Sequence, residues 1–279
     1  MKLSSIRFFP PQTAEALLGV LFDIDDTFTT RGKILPEAYQ ALWSLKASGL
    51  AVVPITGRPA GWCDHIARMW PVDGVVGENG AFYFWYDQHQ GRLLNRYMDS
   101  EEVRKEKRER LNAIKQEVLA SVPGAALAGD QPFREADLAI DYAEDVPALE
   151  WDLVEKICGI FKRHGANYKV SSIHVNGWFG EYDKLQMTRI FARERWGIDL
   201  EEKKDRFLFC GDSPNDEPMF RYFPYTAGVR NLLRFSDRME CVPGFIADHD
   251  GGQGFAQIAG TILALRAGDR HPASPFTPD

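Results

Sequence analysis

FDIDDTFTT, residues 22–30, sets three carboxylates in four positions directly behind the apolar run Leu17–Phe22. A short apolar run that stops abruptly in polar residues reads as a buried parallel strand ending in a functional loop. Two further stretches share the design, AVVPITGR at 51–58 and RFLFCGD at 206–212. Between the first two, Ala38, Ala41, Leu42 and Leu45 recur at helical spacing after Pro36, with Gly49 as the stop. Helices are also predicted over about Trp62–Met69, ahead of the strand GVVGE, and over Lys184–Trp196, ahead of RFLFCGD. This alternation predicts an α/β fold with a doubly wound, mostly parallel, Rossmann-like core sheet.

From about Phe82 to Tyr182 the rhythm changes. Two aromatic-rich strands, AFYFWY and RLLNRY, flank the turn DQHQG; a long charged helix runs to Val122; then come the strand DLAIDYA, a helix over about Ala148–His164 and the strands within YKVSSIHVN. A stretch of this length with its own α+β pattern reads as an inserted cap domain. The predicted organisation is a discontinuous core of residues 1–82 and 183–266, a cap of 83–182 and a loose, Pro-rich tail at 267–279.

Composition narrows the partners. With 33 Lys+Arg against 40 Asp+Glu, the formal charge of -7 offers no broad basic face for nucleic acid. No apolar stretch approaches the roughly 20 residues that a membrane helix needs. Pro10 and Pro11 interrupt the start before any signal-like segment, so a cytoplasmic location is expected. Cys63, Cys158, Cys210 and Cys241 form no metal-binding spacing and read as reduced thiols. The run EEVRKEKRER, 101–110, mixes both signs at helical spacing and reads as a solvated helix face.

In open α/β sheets ligands sit at the carboxyl ends of the strands, where Asp23, Asp25, Thr56, Asp212 and Asp216 would converge. Clustered carboxylates repel unless a cation neutralises them, and oxygen donors without Cys or His suit Mg²⁺. A calcium loop starting at Asp23 fails, since it would need Gly at Phe28 and Glu at Ile34. An Asp-rich turn with Thr27 as a cap remains the plain alternative for this stretch alone.

DIDDT (23–27), ITGR (55–58), Lys184 at a helix start and GDSPND (211–216) follow one another in an order that resembles the haloacid dehalogenase superfamily of phosphotransferases. The resemblance implies that Asp23 is the nucleophile that takes the phosphoryl group and Asp25 the acid/base. Thr56 and the Gly57 N–H would hold phosphoryl oxygens, and Lys184 would offset negative charge. Asp212 would bind Mg²⁺ with Asp23 and the Asp25 carbonyl, Asp216 would support that site directly or through water, and Asn215 would orient the loop. The sequence departs from the family pattern at Asp26, where Gly is usual, and at Phe28, where Leu is usual.

The insert falls after the second motif, which resembles the branch with a large α/β cap that includes sucrose-, trehalose- and mannosylglycerate-phosphate phosphatases, Cof-type phosphatases and phosphomannomutases. GENGA at 77–81 is similar to an element of that branch and puts Asn79 among the phosphate- or substrate-facing residues; AGVRN at 227–231 and DHDGGQGF at 248–255 resemble the closing segments of its core. Substrate contacts are expected from Arg58 and from the segment SSIHVNGWFGEYDK, 171–184, through His174, Asn176 and Glu181, with Trp178 as an aromatic face. Ordinary strand residues around a tight Asn-Gly turn are an equal reading of that segment. The implied activity is Mg²⁺-dependent hydrolysis of a small phosphorylated metabolite, a sugar phosphate first. A phosphosugar mutase and a non-catalytic sensor of a phosphorylated ligand are the alternatives, and the sequence specifies no oligomeric state.

Overall fold

The computed structural model describes residues 3–267. Apart from Ala267, the tail expected at 267–279 lies outside them. The core is a six-stranded parallel sheet in the order Ser4–Ser5, Phe245–Ile246, Tyr225–Gly228, Phe207–Gly211, Gly19–Phe22, Ala51–Pro54. Its central strands are buried on both faces, which is why each reads as an unbroken apolar run. Helices cover both faces: Pro36–Ala47 and Gly251–Arg266 pack on one, Lys184–Trp196 on the other. Pro36 opens its helix, and Gly49, with φ +82°, carries the chain out of it into the strand Ala51–Pro54.

The aromatic hairpin departs from the sequence reading. Phe82–Asp87 pairs with Arg92–Tyr97 but also, antiparallel, with Val75–Gly77, which joins the core sheet through the bridge between Ile55 and Val76. It therefore extends the core instead of opening the cap. The cause is two-sided burial: Phe82 and Phe84 pack with Cys63 and Ile66 of the helix Ala60–Met69, while Tyr83 and Trp85 turn to the cluster around Phe191. Alternation that is apolar on both faces carries no label for the sheet it joins.

The inserted sheet is antiparallel, in the order Asn167–Val170, His174–Trp178, Leu138–Asp141, Ala126–Leu127. The helices Glu101–Ser121 and Trp151–Arg163 back it with a core of their own, including Ile114, Val118, Ile157, Phe161 and Val175. The tight turn that was the alternative reading of Asn176 and Gly177 does not form; both lie inside a strand. Glycine is required there because a Cβ would overlap the ring of Phe161. Among the described residues no helix is long and apolar enough to cross a membrane.

Candidate active site

The carboxyl ends of the central strands bring the distant motifs together. Asp23 leaves the strand Gly19–Phe22 with its N–H bonded to the Cys210 carbonyl at 2.9 Å, which registers the first motif against the strand preceding Asp212. Asp26 takes the left-handed conformation, φ +53°, that glycine fills most easily. Phe28 turns inward against Phe22, Trp70 and Phe255, so the bulkier residue at this position fills core space.

Lys184, the first residue of its helix, places its ammonium 2.7 Å from Asp23 Oδ1 and 2.8 Å from Asp216 Oδ1. Asp212 accepts from the Thr27 hydroxyl at 3.2 Å and from Asn231 Nδ2 at 3.0 Å. The second oxygen of Asp216 accepts the N–H groups of Asp212 and Ser213 at 3.0 and 3.4 Å. Carboxylate oxygens of Asp23, Asp212 and Asp216 lie within 4.8 Å of one another, all three residues buried. Burial, opposed by Lys184 but reinforced by Asp216 and Asp25, pushes the Asp23 carboxyl up to about 8. Burial and then Asp23 and Asp216 hold Asp212 well above the usual range. Burial disfavours the Lys184 ammonium, yet Asp216 and Asp23 outweigh it and raise its pKa. Three buried carboxylates against one ammonium leave the cluster short of positive charge, and its donors are all oxygen, so a divalent cation fits.

Thr56 is buried and accepts the Arg58 N–H at 3.0 Å. Asn79, φ +53°, packs behind that turn: a Cβ on Gly57 would stand 3.2 Å from its Nδ2, and both of its buried amide atoms lack a hydrogen-bond partner. Asn215 lines the chamber, its Oδ1 accepting from Ser213 Oγ at 2.8 Å.

Arg58 is not available to a ligand in this arrangement. Its Nε lies 3.0 and 2.9 Å from the two oxygens of Asp25, its Nη2 lies 2.6 Å from Glu144 Oε1, and its Nη1 lies 3.1 Å from Asp130 Oδ2. The cap carboxylates Glu144 and Asp130 thus meet the core through the same guanidinium that holds Asp25. His174 and Asn176, two residues apart on one strand face, do reach the chamber. His174 Nε2 lies 2.9 Å from Glu144 Oε2, and Asn176 Nδ2 donates to Asp137 Oδ2 at 2.9 Å. Burial opposes ionisation of Glu144, but its bonds to His174 and Arg58 bring its carboxyl down to about 2.

Two expected contacts fall elsewhere. Glu181 is exposed in a separate cleft, because Gly180, φ +123°, turns the chain away. Trp178 stacks on Tyr182 and donates to its carbonyl at 3.1 Å, inside an apolar cluster.

Sequence reasoning missed the groups that seal the cap to the core. Glu78 accepts the N–H groups of Ala60 at 3.0 Å and of Glu135, Ala136 and Asp137 at 2.9, 2.6 and 3.1 Å. Arg134, between Asp130 and Asp137, donates to the Gly57 carbonyl at 2.8 Å. The signal for Glu78 was present, since it ends an apolar strand as Asp23 does.

Fold and site together define a capped α/β core with its polar groups gathered at the strand ends. Residues 20–116 match the family model of the haloacid dehalogenase-like hydrolases. No curated protein matches the sequence. Among solved structures, Thermoplasma acidophilum 0175 is 20% identical with a TM-score of 0.65, over 88% of this chain and 98% of that one. The C-terminal domain of C. albicans trehalose-6-phosphate phosphatase is 16% identical with a TM-score of 0.68, over 96% and 98%. Synechocystis sucrose-phosphatase, solved with sucrose and phosphate, is 16% identical with a TM-score of 0.58, over 88% and 98%. At these identities the likeness is one of fold.

Proposed function

We propose that this chain is a phosphatase that hydrolyses a small phosphorylated metabolite, a sugar phosphate, through an aspartyl-phosphate on Asp23. The observation that carries the reading is the meeting of Lys184 with Asp23 and Asp216, 2.7 and 2.8 Å away, beside a second aspartate two residues along the chain from Asp23.

An Asp23 oxygen attacks phosphorus, the ester P–O bond breaks, and Asp25 gives its proton to the leaving alcohol. Asp25 then takes a proton from the water that attacks the aspartyl-phosphate, which releases inorganic phosphate and restores the Asp23 carboxylate. Thr56 and the Gly57 N–H hold the phosphoryl oxygens, and Lys184 offsets the charge on nucleophile and phosphate. Asp23, Asp212 and the Asp25 carbonyl are the residues that would hold Mg²⁺. Asp216, its oxygens taken by Lys184 and backbone N–H groups, supports that site from behind. Bound there, the cation would neutralise charge on the phosphoryl oxygens.

The sugar-phosphate class draws support from the two neighbours named as sucrose- and trehalose-6-phosphate phosphatases. The test is phosphate release from a panel of sugar phosphates, sugar-acid phosphates and nucleotides, with Mg²⁺ and with chelator, using Asp23→Asn as blank. Mg²⁺-dependent release that vanishes in the variant is expected; undiminished release by Asp23→Asn rejects the mechanism.

A further inference from the structure

We propose that the alcohol part of the substrate binds in an outer chamber beside Asp25, and that Arg31 and Arg234 there select a sugar phosphate bearing a second anionic group. The proposal rests on the phosphatase reading above and names its substrate class.

The inner chamber against Asp23 has about 10 Å³ free, room for about one water beside the reacting groups and none for a sugar. Past Asp25, Arg58, Ser172 and Ile173, which line both spaces, it gives onto a cleft of about 360 Å³. That volume is in the range of small-molecule sites, at its lower end, and suits a monosaccharide-sized group. The hairpin Thr29–Thr30 and Lys33–Ile34 forms one wall through Thr29, Arg31 and Gly32, and the cap forms the other. A leaving group held there presents its ester oxygen to Asp25 and its far end to the hairpin tip.

The polar groups facing this cleft divide into committed and free. Arg58, Asp25 and Glu144 are bound to one another. Ser172 Oγ is buried with no hydrogen-bond partner. Arg31 makes no ion pair among the described residues, and the ion pair of Arg234, to Asp250 at 3.4 Å, is exposed. Asp26 is the remaining acid on the wall, and its carboxylate is likewise unpaired among the described residues. Two arginines open to a ligand against one carboxylate favour an anionic end, such as a carboxylate, on the sugar, with Asp26 and Ser172 left for its hydroxyls. The backbone points the same way. Arg31 and Gly32 form a two-residue turn with φ +51° and +70°, where Asn or Gly fits with less strain, so the arginine stands at a position that its backbone does not prefer.

The test compares 6-phosphogluconate with glucitol 6-phosphate, open-chain sugar phosphates that differ in one carboxylate, on the full chain with Mg²⁺. The wild type is expected to prefer the acid in kcat/KM. Arg31→Ala and Arg234→Ala are each expected to reduce the acid-to-neutral ratio about tenfold, the fold-change of one charge-assisted hydrogen bond, chiefly through KM. Calorimetric binding of both compounds to Asp23→Asn, with and without Arg31→Ala, gives the same comparison without turnover. Discrimination in binding that Arg31→Ala removes supports the chamber even if the wild type releases no phosphate, an outcome that would reject the phosphatase reading alone. Phosphate release with an acid-to-neutral ratio that neither arginine variant changes, or no discrimination in either assay, overturns the proposal.

Discussion

Gly80 lies flat against the carbonyl of Asp183: a Cβ there would overlap the carbonyl oxygen and carbon and stand 3.0 Å from the backbone nitrogen of Lys184. Asp183 caps the following helix, accepting from Gln186 N at 2.7 Å, so the glycine sets where that helix begins and where Lys184 points. Gly80 also holds φ +106°, which L side chains rarely adopt. Gly80→Ala should push the helix start away from the core. A displacement of about 1 Å in a positioned group can cost on the order of 10²-fold in rate, against about 1–3 kcal/mol in stability for the strained backbone. Phosphate release and urea unfolding measure the two effects; a variant that unfolds earlier but keeps full turnover would separate Gly80 from the placement of Lys184.

Mg²⁺ should stabilise the folded chain, because the acidic cluster exists only when Asp23, Asp212 and Asp216 are brought together. At a concentration about 100 times its Kd, the gain is about 2.7 kcal/mol. Asp212→Asn should abolish the gain, and in chelator should match or exceed the wild type in stability, since one repelling buried carboxylate is gone. Thermal unfolding with Mg²⁺ and with chelator decides the matter; equal gains in variant and wild type would place the ion elsewhere.

The polar cluster of the core was legible because each of its groups is a polar exception at the end of an apolar element: Asp23, Thr56 and Asp212 after strands, Lys184 at a helix start. The cap contacts were not. Arg58 meets Asp130 and Glu144 across 72 and 86 residues, a pairing made only by the docking of the cap on the core, with no local pattern to announce it. The segment 171–184 was half legible: alternation along a strand puts His174 and Asn176 on one face. It could not show that the turn at Gly180 sends Glu181 outward, or that Trp178 finds Tyr182 before any ligand.

Glu78 should make stability fall as pH rises. Burial and Asp137 outweigh Arg134 and the N–H donors of Glu135 and Ala136, and raise its carboxyl from 4.5 to about 8. The unfolded chain loses this proton near 4.5 and the folded chain near 8, so between those values the unfolded state is favoured, by at most about 1.4 kcal/mol per pH unit. Glu78→Gln carries no such charge. Urea midpoints at pH 5 and pH 8 should show the wild type losing ground to the variant on going to the higher pH. A difference that stays constant would mean that the backbone donors alone keep the carboxylate ionised throughout.

Gly177 offers a test of how the cap holds its chamber residues. It sits between Asn176 and Trp178 on the strand that carries His174, and a Cβ would overlap the Phe161 ring, standing 2.7 Å from its Cζ. Phe161 belongs to the cap core and is fully buried, so the ring has no free direction in which to move. Gly177→Ala should therefore cost about 1–3 kcal/mol by overpacking, and it should raise KM by shifting His174 and Asn176. Phe161→Leu alone leaves a cavity and costs stability too. Combined with Gly177→Ala it makes room for the new methyl, so the double variant should be more stable than the sum of the singles by more than about 0.5 kcal/mol. Additive losses would mean that the strand moves without pressing on Phe161, and KM should then change no further when the phenylalanine is replaced.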